Sequence, residues 1–101
     1  MDISEVSDHA ETLDGVRRTE CDGLLRWYVD NRLVARQEDA ETLLIRSDFD
    51  DREQLVDTHP DTFSVTPRLE GHMKVLADLR RGDAGAIRDA VTAAWKLQRR
   101  G

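Results

Sequence analysis

The first fifteen residues place Ile3, Val6, Ala10 and Leu13 at helical spacing, with Asp2, Glu5, Asp8 and Glu11 on the other faces. That pattern predicts a short amphipathic helix. Ser4 or Ser7 would cap it and Gly15 stops it. Beyond Gly15 the repeat changes to alternation: in Leu24–Asn31, Leu25, Trp27 and Val29 fall on one side and Arg26, Tyr28 and Asp30 on the other. Asp30-Asn31 is a tight-turn pair. Leu33 to Arg36 alternates again, Gln37 to Glu41 is a polar connection, and Thr42 to Ser47 is the next strand. A meander of three strands follows, with Val16 to Glu20 as a fourth of weaker pattern.

Asp50 and Glu53 stand three apart just ahead of Leu55 and Val56, a variant of the capping box, and predict a helix from about Asp51 to Thr58. His59-Pro60 ends it, because the residue before proline is pushed out of the helical region. Thr62 to Thr66 and His72 to Leu79 then predict a hairpin around the segment 67–71, with Phe63 and Val65, and Met73, Val75, Ala77 and Leu79, on its apolar side. Asp83 caps a last helix whose Ile87, Ala90, Val91, Ala94 and Trp95 form one apolar stripe, which places Trp95 against the inner sheet face. Lys96, Arg99 and Arg100 sit near its end, where positive charge suits the helix dipole. The order α-β(3-4)-α-β(2)-α predicts an α+β two-layer sandwich, an antiparallel sheet with helices on one face. At 101 residues the chain suits one domain, 1–101, with a single core.

Several stretches also resemble the MmcQ/YjbR family: RLVAR in the second strand of the meander, TLLIRSDFDDREQLVDTHPDTFSVTP over strand, helix and strand, and AWKL at the end of the last helix. The similarity covers most of the chain from Leu24 onward. It departs at Leu13-Asp14-Gly15 and at Thr19-Glu20-Cys21-Asp22, where family members often carry a leucine-proline-glycine step and an aromatic-glycine-proline segment. The resemblance implies the two-layer fold, with a general similarity to small secretion-chaperone-like folds, and it implies DNA binding. None of the matching stretches is a catalytic signature.

Charge modifies that expectation. With 15 basic and 21 acidic residues the chain carries a formal charge of −6, which favours solubility and opposes indiscriminate attraction to polyanions. The charge is uneven: residues 37–62 hold nine acids and two bases, whereas 63–101 hold eight bases and four acids. Cys21 is the only cysteine, so no intrachain disulfide forms and a reducing, cytoplasmic setting is the simplest expectation. The acidic start lacks the features of a signal peptide, and no apolar run reaches bilayer length.

Candidate chemistry is sparse. His9, His59 and His72 fall on different elements, so no catalytic constellation is legible and the expectation is a non-enzymatic protein without cofactor. Asp48, Asp50 and Asp51 read as helix-capping residues, since an EF-hand glycine is missing, and Cys21 has no ligand spacing around it, so no metal is expected. Gly82 and Gly85 flank the last helix start, but Asp83 between them would repel an anion. What remains is the sheet face opposite the helices. Alternation gives it Arg26, Tyr28, Arg36, Arg46, Lys74 and Arg80, with Asp30, Asp48 and Asp78 among them. This modestly basic face is the candidate DNA surface, weak and salt dependent. Two readings compete with it: an ordinary solvated face with cross-strand ion pairs, and a protein-interaction or adaptor module that uses Leu44 and Leu76 among the charges.

Overall fold

The computed structural model describes residues 1–100, and among them are three α-helices and one six-stranded antiparallel sheet. Helix α1 is Ile3–Glu11; strands β1 to β4 are Arg17–Cys21, Leu24–Val29, Arg32–Asp39 and Thr42–Arg46; helix α2 is Phe49–Thr58. Strand β5 is Phe63–Ser64, a 3-10 turn spans Pro67–Leu69, strand β6 is Lys74–Asp78, and helix α3 is Ala84–Gln98. The strand order is β1-β2-β3-β4-β6-β5, so β6 returns beside β4 and leaves β5 at the edge. No helix among the described residues is long and apolar enough to cross a membrane.

Two tight turns make the meander. Asp22-Gly23 joins β1 to β2 and Asp30-Asn31 joins β2 to β3, and all four residues have positive φ, 54°, 79°, 51° and 65° in chain order. Left-handed conformation at both central residues matches the twist of a two-residue hairpin, and aspartate, asparagine and glycine are the residues that tolerate it. The fourth strand is therefore β1, held by the first hairpin in register Thr19↔Arg26 and Arg17↔Tyr28.

Register builds the core. Trp27, Ala35, Ile45 and Val75 form one cross-strand row, and Leu43, Ala77 and Phe63 a second; all seven are buried. A bulge opposite Trp27 lets both Val34 and Ala35 reach full burial. Against this face lie Val6 and Ala10 of α1 and Ile87, Ala90, Val91 and Ala94 of α3. His9 Nε2 lies 2.9 Å from Thr92 Oγ1 and 3.0 Å from the Arg88 carbonyl, tying α1 to α3.

Local details differ from the sequence reading. Each helix is capped by an aspartate whose side chain accepts from an amide three residues on: Asp2 from Glu5, Asp48 from Asp51 and Asp83 from Ala86. Asp48, and not Asp50, starts α2 because it is the last residue with extended backbone, φ −69° and ψ 166°. Ser7 is buried inside α1 and donates to Glu11, so neither serine caps that helix. Strands β5 and β6 are shorter than the alternation implied, since the segment between them leaves the ladder for a 3-10 turn at Pro67–Leu69. Trp95 is only half-buried: its indole Nε1 donates to the Asp14 carbonyl at 2.8 Å and the Arg99 guanidinium stands 4.2 Å above its ring. The indole packs partly buried against the edge of the core, and its N–H finds an acceptor in the α1–β1 link.

Candidate nucleic-acid interface

The face opposite the helices is built by the same register. One row runs Thr19, Arg26, Arg36, Leu44, Leu76, Ser64 from β1 to β5, and a second position pairs Arg46 with Lys74. Arg17 and Tyr28 oppose one another toward the β1 side and, with Thr19, Asp30 and Asn31, line a hollow of about 250 Å³. Arg26, Tyr28, Arg36, Arg46 and Lys74 thus lie on one face, as alternation implied.

Three features of this face were not legible in the sequence. Arg80 does not belong to it: β6 ends at Asp78, whose Oδ1 accepts from the Arg80 and Arg81 amides at 2.9 and 3.1 Å in a turn beyond the strand. Arg17 joins the face, which was missed because the pattern of β1 is weak, with all five residues exposed and no apolar side to read. The face is also not open along its whole width. Leu44 is 1% exposed although it lies outside the main core, and Leu69 from the 3-10 turn is 6% exposed. Leu69 and Leu76 line one hollow with Glu38 and Thr42, so the β5–β6 connection folds over this part of the face. Arg52 of α2 fastens that connection, donating to the carbonyls of Leu69 (3.1 Å), His72 (2.7 Å) and Glu70 (3.1 Å). Leu44 is therefore withdrawn from any docking surface.

The electrostatics are uneven. Arg36 is paired with Glu38 at 3.0 Å, whereas among the described residues Arg17, Arg26, Arg46 and Lys74 have no carboxylate within ion-pair distance. Two pairs of like charge, Arg26 with Arg36 and Arg46 with Lys74, occupy directly opposed positions, an arrangement that destabilises a sheet. The Arg26 guanidinium is held above its already high pKa, first by the Tyr28 side chain and then by nearby Cys21, so it is a cation at every accessible pH. The Arg46 Nε is buried without a partner.

The histidines stay apart: His9 faces α3, His59 ends α2 with its ring 6.2 Å from that of Phe63, and His72 lies in the β5–β6 connection. Cys21 is exposed at the end of β1. What the sheet face offers chemically is a set of fixed cations. No protein-family model, curated protein or solved structure matches the chain.

Proposed function

We propose that this chain is a small non-enzymatic MmcQ/YjbR-like module that binds the phosphate backbone of duplex DNA through Arg17, Arg26, Arg46 and Lys74, with Tyr28 beside them. The observation that supports this most is the opposed placement of like charges, Arg46 with Lys74, neither of which has a carboxylate partner, and Arg26 with Arg36, of which only Arg36 has one. Such pairs cost stability in the free protein and are offset only when an anion lies across them. Their spacing also suits a duplex. Arg26 on β2 and Lys74 on β6 are three strand intervals apart, about 14 Å at the usual sheet spacing, comparable with the ~12 Å width of a major groove. Cations so placed reach phosphates on both sides of one groove. The face carries no protruding helix or ribbon, so contacts to base edges and sequence preference are not part of the proposal. A lone exposed thiol at Cys21 fits a reducing, cytoplasmic setting.

Four phosphate contacts on a chain of charge −6 give weak binding whose log K falls against log salt with a slope of about −3.6. The test is an amide chemical-shift titration with a short duplex at low and physiological salt. Shifts should fall on β1, β2 and β6 and vanish in an Arg26→Glu, Lys74→Glu double variant, a pair chosen because the Nε of neighbouring Arg46 is buried. Absence of shifts at low salt, or shifts confined to α2, would remove the nucleic-acid reading. The protein-interaction reading of the same face loses Leu44, which is buried.

A further inference from the structure

Helix α2 has ten residues and buries none of them. Its face Asp51, Gln54, Leu55, Thr58 looks across a groove of about 340 Å³ at Asp89, Ala90, Ala93 and Leu97 of α3. Both sets follow helical spacing, so each helix turns one consistent face to the groove. The floor is apolar. Leu55 packs half-buried against the core, and Leu97, 37% exposed, is one of two large hydrophobic side chains that stand open among the described residues. Ala93 is exposed and small, which leaves α3 approachable at its middle. The rim is mainly anionic: Asp48 and Asp51 stand at the start of α2 and Asp89 on α3, against one arginine, Arg46, with His59 at the end of α2.

We infer that this groove is a docking site for an amphipathic helix of a partner protein, carrying apolar side chains one turn apart with lysines or arginines beside them. Charge complementarity selects that occupant. An apolar trough of two helical turns, flanked by three carboxylates, receives leucine-like side chains on its floor and ammonium or guanidinium groups at its rim. The eight residues from Asp51 to Thr58 span about 11 Å of helix axis, room for two anchors at positions i and i+4. An acidic partner helix, or the acidic α1 of a second copy, would meet like charge at the same rim. The groove meets the basic sheet face at Arg46, which borders both, and neither proposal needs the other. It gives the protein-interaction reading an address and a partner chemistry.

The test uses the full chain and a fluorescein-labelled helical peptide of about sixteen residues with leucines at i and i+4 and flanking lysines, followed by anisotropy and by amide shifts. Saturable binding is expected, with shifts on residues 48–58 and 89–97. Asp89→Lys should weaken it about tenfold or more and Ala93→Trp, which fills the trough without changing charge, should abolish it. Both variants lie on exposed positions, and the shift map checks that the fold is retained. Equal binding of a peptide with glutamates for lysines would overturn the charge argument. Equal binding of a scrambled peptide, or full competition by spermine alone, would overturn the helix in favour of simple cation attraction. Groove shifts that depend on protein concentration without peptide would replace the partner by a second copy. Shifts located elsewhere would leave protein interaction standing and remove the groove.

Discussion

Arg26 and Arg36 occupy directly opposed positions on β2 and β3, yet only Arg36 has a carboxylate, Glu38, at 3.0 Å. Replacing Arg26 by Glu converts a like-charged pair into an attractive one on an exposed face. The urea midpoint should therefore rise, while the slope of log K for duplex DNA against log salt should shrink in magnitude by about 0.9. Stability and binding move in opposite directions, and a variant that loses both would show that Arg26 is structural.

Arg52 is the pin of the β5–β6 connection, with three carbonyls on one guanidinium. Arg52→Ala should cost about 1.5 to 3 kcal/mol in urea melts, the range for hydrogen bonds to a charged group whose acceptors can turn to water. Arg52→Lys should recover only part of it, because an ammonium cannot reach all three oxygens from one plane. Faster amide exchange at His72 and Leu69, whose amides close this loop, is the accompanying sign.

Gly82 is constrained by space. A Cβ there would run into the Asp78 carbonyl oxygen and come within 2.9 Å of Ile87 Cδ1 and Thr62 Cγ2. Gly82→Ala should destabilise by about 1 to 3 kcal/mol or more, since the nearest atom is backbone and cannot rotate away. Gly23→Ala is the contrast: open space surrounds it, and the cost comes from its φ of 79°.

Trp95 separates a hydrogen bond from burial. Trp95→Phe keeps most of the ring and loses the Nε1 donor to Asp14, so a cost of about 1 kcal/mol is expected. Ile87→Ala, at a position with no exposure, should cost about 2 to 5 kcal/mol. Urea melts of the two variants measure the difference between margin and core.

Asp39 holds the β3–β4 turn, and its carboxyl is kept below the ordinary aspartate range, first by the Glu41 amide at 2.9 Å and then by the Thr42 side chain. A depressed folded pKa means that the contribution is present above about pH 4, the unfolded value, and is lost as the pH falls through the folded one. The Glu41 amide shift should titrate with Asp39 in that acidic window. Asp39→Asn should remove the titration while leaving the turn able to accept the bond.

Legible in the sequence were the element order, the alternation that divides β2, β4 and β6 between two faces, the Asp30-Asn31 turn, the Asp83 cap and the stop at His59-Pro60. These are local: turn chemistry, capping and hydrophobic period act over a few residues and leave their mark in the residues concerned. The meander and the β5–β6 pairing were legible as well, whereas the placement of β6 beside β4 and the register of each ladder came from the tertiary structure. Register places Arg26 against Arg36 and Arg46 against Lys74, brings the exposed strand β1 and its Arg17 onto the face, and excludes Arg80, which lies past the last ladder position. It also decided that Leu44, alternating with the outer charges, is buried beneath the β5–β6 connection. Likewise, α2, which capping residues and Leu55 and Val56 predict as a helix, buries no residue and borders a groove. Burial depends on what another segment brings to the same place, and that segment can lie twenty or more residues away, where no local pattern records it.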